Sequence, residues 1–321
     1  MYKFNIVILL ALLAMFASMG LTHASGSAVI EDANLNGIVL TLENKYYSDS
    51  TDLTATGLAN NSFTINGAAL KVSKGIDINQ FIGFTESQIT DSLARYITNH
   101  NLNGTTDYIL LDMEGDAGPR HWGRHLTADQ DDDGFSTSRT FLDIVNAYKL
   151  RISVARSLLP DAKICLYGMP VPENPFVHSH TWIQQIAGFT HAGTLGLFDD
   201  ADYIVPVCYM RFCEDDYANY KHKNQEETTM AIQAAQSFVD TDGNHIDVFP
   251  LITPTYFGNS SCVLSVISAD DLWEQITWIK GLGVDTIGLW VGNDTLPRST
   301  TTVSQYAEQL NQAANQDSSG P

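Results

Sequence analysis

Basic residues are scarce in this chain. Seventeen lysines and arginines stand against 37 aspartates and glutamates, a formal net charge of −20 over 321 residues. A surface so acidic makes nucleic acid and anionic membranes poor partners, because faces that bind them are built from clustered cations. The excess acid suits a solvated exterior. Long apolar runs are also missing: beyond the N-terminus nothing approaches the roughly 18 apolar residues that suggest a membrane-spanning helix. No G-x-G-x-x-G and no P-loop lysine motif occurs, which weighs against a nucleotide-binding sheet. A G-x-S-x-G elbow is absent, and with it the usual serine-hydrolase signal. Histidines 121, 125, 178 and 180 form no H-E-x-x-H, and there is no Cys-x-x-Cys, so a zinc site has little support. Cysteine itself is sparse. Cys165, Cys208, Cys213 and Cys262 allow three full pairings. Cys165 and Cys208 fall inside strand-like segments, whereas Cys213 and Cys262 fall just beyond strand ends, where a bridge between loops is expected.

The first 24 residues read as a secretory signal: Lys3, an apolar stretch from Ile6 to Ala17, then Thr22-His23-Ala24 as a small-x-small cleavage site. The expectation is a secreted or periplasmic protein without stable membrane insertion. Residues 25–321 would form a single domain ending in a helix through Tyr306 and Leu310 and a polar tail. No protein partner is indicated.

Along that domain apolar strand-like segments alternate with amphipathic helices. Strands are expected at Asn36–Glu43, Ala68–Ser73, Asp107–Glu114, Ala162–Pro170, Ala201–Tyr209, Ile246–Pro254 and Val284–Gly292. The polar stretch from Asn44 to Asn61 reads as loop. Helices are expected at Thr85–Asn101, with Thr85 and Gln88 as a capping box, at Ser138–Pro160, at His180–Phe189, at Asn224–Asp240 and at Ser268–Gly283. Strands without clean polar alternation are buried on both faces, as parallel strands covered by helices must be. The fold class is α/β, a TIM-like (β/α) barrel, distorted, with seven or eight strands. Polar and aromatic residues collect at the C-terminal ends of the strands, where such a barrel gathers its active site.

Those ends hold Glu43, the pair Asp112 and Glu114, Tyr167, Tyr209, Tyr256, Trp290 and Asp294. Side chains two apart on a strand share a face, so Asp112 and Glu114 point together into the mouth while Met113 points away. Two carboxylates this close resist simultaneous ionisation, which fits one of them for proton donation. Gly115 and Gly118 allow a sharp turn beside the pair. Trp122, Tyr167, Tyr209 and Trp290 offer aromatic surface of the kind that meets the apolar faces of sugar rings.

With these residues in view, the chain resembles the hyaluronidase family of glycoside hydrolases, and nearly as well the related DxE-type, chitinase-like enzymes. The resemblance rests on Asp112-Met113-Glu114 at the end of the third strand, with Pro119 and Trp122 behind it. It continues through Tyr167-Gly168-Met169-Pro170, Pro206-Val207-Cys208-Tyr209, Phe249 to Pro254 followed by Tyr256, and Trp290. It implies a distorted seven-stranded barrel and hydrolysis of a glycan containing N-acetylhexosamine. In that scheme Glu114 protonates the leaving oxygen and the substrate's own acetamido carbonyl is the nucleophile. Asp112 orients the acetamido nitrogen, Tyr209 binds its oxygen, and Trp290 floors the sugar. Glu43, Trp122, Tyr167, Tyr256, Trp290 and Asp294 are the candidate substrate-binding residues. A substrate lacking the N-acetyl group would need a second enzyme carboxylate, with Glu43, Glu214 and Asp294 as candidates. The competing reading is a glycan-binding protein on the same scaffold, without catalysis.

One acidic stretch stands apart. Asp129, Asp131, Asp133 and Gly134 occupy positions one, three, five and six of a calcium-loop pattern, but position twelve is Thr140 rather than glutamate. They make a candidate structural Ca²⁺ site or a plain solvated loop. The chemistry proposed for the mouth needs no cofactor.

Overall fold

The computed structural model describes residues 38–42, 59–65, 78–99, 102, 108–113, 117–122, 141–172, 179–253, 255–257, 261–262, 265–284 and 286–291. All lie within one unit, Asn34–Pro321. The expected signal segment, the strand expected at Ala68–Ser73 and the expected C-terminal helix fall outside the described residues.

Among the described residues eight strands form one parallel sheet: β1 (Ile38–Leu42), β2 (Ala59–Ile65), β3 (Tyr108–Leu111), β4 (Lys163–Tyr167), β5 (Tyr203–Val205), β6 (Asp247–Val248), β7 (Leu251–Ile252) and β8 (Ile287–Val291). The neighbour order is β6-β5-β4-β3-β2-β1-β8-β7. Its two ends, β6 and β7, are consecutive halves of one strand, interrupted at Phe249 and Pro250. β6 pairs with β5 and β7 with β8, and a bridge between Val207 and Leu251 spans the gap. Seven strand positions therefore come round into a barrel distorted at the sixth. Proline cannot donate to the ladder, which accounts for the break; Gly288 N donates to the Pro250 carbonyl instead (2.9 Å).

Helices α1 (Ile78–Gly83), α2 (Glu86–Asn99), α3 (Phe141–Leu158), α4 (Ser179–Thr194), α5 (Tyr220–Gln236) and α6 (Ala269–Gly281) occupy the crossovers. The start of α2 is the expected capping box: Gln88 N donates to Thr85 Oγ1 (3.3 Å) and Thr85 N to Gln88 Oε1 (2.9 Å). Ser268 caps α6 by accepting from Asp271 N.

Strand parity sorts the side chains into two layers. Leu110, Cys165, Val205, Val207, Tyr209, Phe249 and Leu251 fill the barrel interior, with Tyr108, Tyr167, Tyr203 and Trp290 against them. Their strand neighbours Ile109, Leu111, Ile164, Leu166, Ile204, Ile252 and Leu289 face the helices. The interior below the mouth is closed by rings, Tyr108 stacking on Phe249 at 5.3 Å and meeting Tyr203 at 5.7 Å. Gly288 leaves the space for this packing: a Cβ there would come within 2.6 Å of Leu251 Cδ1 and 3.0 Å of Phe249 Cζ.

The second strand is a correction. β2 begins inside the stretch expected to be loop, and its sequence, Ala-Asn-Asn-Ser-Phe-Thr-Ile, has little strand propensity. Pairing with β1 on one side and β3 on the other overrides that local preference.

Candidate functional site

The aromatic residues expected at the strand ends meet in part. Tyr167, at the end of β4, and Tyr209, four residues beyond β5, approach with hydroxyls 3.4 Å apart. The Tyr209 ring stacks on Trp290 of β8, centroids 5.6 Å apart and planes 13° from parallel. Tyr209 is buried while Tyr167 and Trp290 are half-buried, as befits rings at the rim of a packed interior.

Asp112 follows β3 directly and is buried, 7% exposed. It stands two residues beyond Leu110, an interior residue, while Met113 packs in the helix-facing core. The expected division of faces between residues 112 and 113 is thus present. Extending the β3–β4 register, in which Leu111 lies opposite Leu166, brings Asp112 level with Tyr167. Glu114 falls outside the described residues; the nearest described residues on either side, Met113 and Ala117, are held. Tyr148 of α3 donates from its hydroxyl to the Met113 carbonyl (2.8 Å), with the Ala117 carbonyl 3.0 Å away. Trp122 Nε1 also donates to the Ala117 carbonyl (2.9 Å).

Two expectations about individual rings are corrected. Trp122, expected to face a ligand, is fully buried in the helix-facing core against Phe141, Tyr148 and Phe189. The chain doubles back through a 3-10 turn at Pro119–His121, and this carries the indole behind the barrel wall. Tyr256 likewise packs outward with Cys208, Met210 and Ile276, where burial pushes its hydroxyl up to about 12. Its neighbour Phe257 takes the inward position, edge-on to Tyr209 (5.2 Å, 69°) and to Trp290 (6.5 Å, 76°). Strand parity could have found it, since Phe249 and Leu251 face inward and the same alternation reaches Phe257. Glu214 is exposed, and its charge acts on Tyr220 and Tyr256 of the helix-facing side. Glu43, Asp294, Asp129, Asp131 and Asp133 lie outside the described residues.

Cys213 and Cys262 form the expected disulfide, tying the loop after β5 to the loop after β7. Cys165 and Cys208 are free and buried.

Behind Tyr209 lies a polar layer that the apolar periodicity of α5 did not reveal. Asn224, Glu227, Thr228, Ala231, Ile232 and Ala235 make the buried stripe of α5, and its first turns are polar. Asn224 Oδ1 accepts from Arg211 N and Phe212 N, and Gln275 Nε2 donates to the Cys208 carbonyl (2.6 Å). The segment carrying Tyr209 is thereby pinned from α5 and α6. Glu227, 2% exposed, has Arg211 Nε 3.8 Å away, and neither carboxylate oxygen is hydrogen-bonded. Burial pushes its carboxyl from 4.5 up to about 7, against the opposing pull of Arg211 and Lys223. The folded state therefore holds this proton more tightly than the unfolded chain. Its stabilising contribution is complete below about pH 4.5 and is lost as pH rises through about 7. Glu227→Gln is neutral throughout and should remove that loss. Across this window the wild type should weaken relative to the variant by roughly 3 kcal/mol. Thermal unfolding of both proteins at pH 4.5, 6 and 8 measures it; parallel curves would show that Glu227 ionises normally.

No protein-family model and no curated protein matches the sequence. Solved structures do. The monoclinic crystal structure of bee venom hyaluronidase matches with a TM-score of 0.60 over 87% of this chain and 99% of that one, at 12% identity. The bee venom enzyme in complex with a hyaluronic acid tetramer gives 0.49 over 81% and 91%, also at 12% identity. A GH18 chitinase from Pseudoalteromonas aurantia gives 0.40 over 84% and 99%, again at 12% identity. The fold is a distorted α/β barrel, similar to that of bee venom hyaluronidase.

Proposed function

We propose that the chain is an exported glycoside hydrolase that cleaves a glycan containing N-acetylhexosamine, with retention and with help from the substrate's acetamido group. The observation that carries this reading is a buried carboxylate, Asp112, on the inward side of β3, in a barrel whose mouth holds the Tyr167, Tyr209 and Trp290 rings. Burying a carboxylate is costly without a function or partners to offset it, and stacked rings suit the apolar face of a pyranose. The name of the bee venom enzyme supports a glycan as substrate. The disulfide suits an oxidising compartment. No helix among the described residues is long and apolar enough to cross a membrane.

In this reading Glu114 gives its proton to the glycosidic oxygen as the bond to C1 breaks. The acetamido carbonyl oxygen closes on C1 from the other face, and Asp112 holds the acetamido N–H as positive charge develops. Water, deprotonated by Glu114, then opens the ring intermediate and restores the starting configuration. Tyr209 binds the acetamido oxygen and keeps it near C1, a positional effect that intramolecular reactions use to large advantage.

A panel of N-acetylated and non-acetylated glycans, with product sizing and NMR of the first-formed anomer, tests the proposal. Cleavage confined to N-acetylated members with the anomer retained is expected. An inverted product would remove the acetamido nucleophile from the scheme. Binding without any cleavage would favour the glycan-binding alternative.

A further inference from the structure

The segment that carries Tyr209 is held by its backbone. The Cys208 carbonyl accepts from Gln275 Nε2 of α6 (2.6 Å), and the Met210 carbonyl from Phe257 N (2.9 Å). Arg211 N and Phe212 N both donate to Asn224 Oδ1 (2.9 and 3.1 Å), and Asn224 Nδ2 donates to the Phe212 carbonyl (2.8 Å). Asn224, itself buried, is a neutral clamp that seats the segment on α5.

One turn further along the same buried stripe of α5 stands Glu227. Both its carboxylate oxygens, and the Arg211 Nε 3.8 Å away, are buried without a hydrogen bond. A neutral carboxylic acid tolerates such a place, whereas a carboxylate has to find donors or water. The charges that act on Glu227 are Arg211, from the segment after β5, and Lys223, from the preceding turn of α5. From α6 the facing group is the neutral Gln275, 3.5 Å from Thr228 Oγ1, while Asp271 and Glu274 are paired with Lys221. Drawing Arg211 into hydrogen-bonding distance, or admitting water, parts α5 from the segment and works against the Asn224 clamp. Burial accordingly holds the carboxyl up at about 7 in spite of both cations.

We propose that Glu227 is a positioning residue for Tyr209. Neutral, it leaves α5 closed on the segment after β5, with the Tyr209 ring stacked on Trp290. Ionised, it loosens that segment and displaces the ring, so the mouth is regulated by pH from behind the barrel wall. The activity so regulated is the glycan cleavage proposed above, and the kinetic arm of the test rests on that reading.

The first readout needs no substrate. The fluorescence of Trp290, taken as the difference between the parent and Trp290→Phe, is followed from pH 5 to pH 9. It should titrate near pH 7 in the parent and stay level when the same difference is taken in the Glu227→Gln background. The second readout is kcat on an N-acetylated glycan, with every protein kept below its melting transition. The ratio of Glu227→Gln to the parent should be close to one at pH 5.5 and rise roughly 10-fold by pH 8. Ionisation of Glu114 cancels in this ratio, because both proteins share it. Asn224→Ala, which removes the clamp without adding a charge, should lower kcat roughly 10- to 100-fold at every pH alike. A parent whose fluorescence does not titrate, or a titration that persists in Glu227→Gln, overturns the inference. So does a kinetic ratio that stays at one, or an Asn224→Ala protein with undiminished kcat. A parent that cleaves no glycan removes the glycan reading, and the fluorescence titration then decides by itself whether Glu227 governs Tyr209.

Discussion

Glu114→Gln is expected to lower hydrolysis of a glycan with a poor leaving group by roughly 10²–10⁴-fold, the usual worth of a positioned general acid. The amide keeps the size and hydrogen-bonding reach of the side chain but has no acidic proton to give. Binding and folding should persist, since Met113 and Ala117, the nearest described residues on either side, are held through their carbonyls by Tyr148 and Trp122. The fall should shrink for an activated aryl glycoside, whose leaving group departs without protonation. Asp112→Asn should also slow turnover, because it disturbs the acetamide contact and the sharing of a proton between the two carboxyls. Undiminished cleavage after Glu114→Gln would place the acid elsewhere, with Glu43, Glu214 and Asp294 next.

The largest loss of stability is expected from Trp122→Ala. The indole is fully buried, in edge contact with Tyr148 (4.9 Å) and Phe141 (5.8 Å) and tilted against Phe189 (5.5 Å). Truncating a buried tryptophan to alanine costs about 3–5 kcal/mol through lost burial and the cavity left behind. Here the change also removes the donor to the Ala117 carbonyl, three residues beyond Glu114 in the sequence. Activity should therefore fall even below the melting transition, where a purely global effect would leave it intact. Trp122→Phe separates the two: it restores much of the packing but not the hydrogen bond. Denaturant melts with kcat measured in parallel would show both effects. A Trp122→Ala protein as stable as the parent would mean that the site repacks completely.

Repeating units were the easiest part of the barrel to read from sequence. A buried strand followed by a helix of 3.6-residue period is a local pattern, and β3, β4, α2, α3 and α6 fell close to where that pattern placed them. Asp112 at the interior position followed from strand parity, which needs only the strand itself. What failed needed information from elsewhere in the fold. β2 is polar and becomes a strand because two neighbours supply its hydrogen bonds. Trp122 looked like a mouth residue because it follows the acidic pair closely, yet the turn at Pro119–His121 sends it behind the wall. Tyr256 was expected at the mouth, yet Phe249 and Leu251 are the inward residues of that segment, so the alternation gives the inward place to Phe257. The buried Asn224, Glu227 and Gln275 were hidden for a further reason: amphipathic reasoning assigns polar residues to solvent.

The placement of the four sulfur atoms bears on how the chain must mature. Cys208 precedes Cys213 by five residues, so in an unfolded chain either could join Cys262 and close a ring of nearly equal length. Loop-closure entropy depends only on the logarithm of that length and scarcely distinguishes them. Discrimination comes from the finished wall. Cys208 is sealed between β5 and the outer helices, Cys165 is sealed inside the barrel, and burial pushes both thiols up, away from the reactive thiolate. Two of the four sulfurs thus depend on tertiary structure to stay out of exchange. Correct oxidation of this protein is a product of its folding, and a chain oxidised before the barrel closes has no chemical means of telling the right partner from the wrong one.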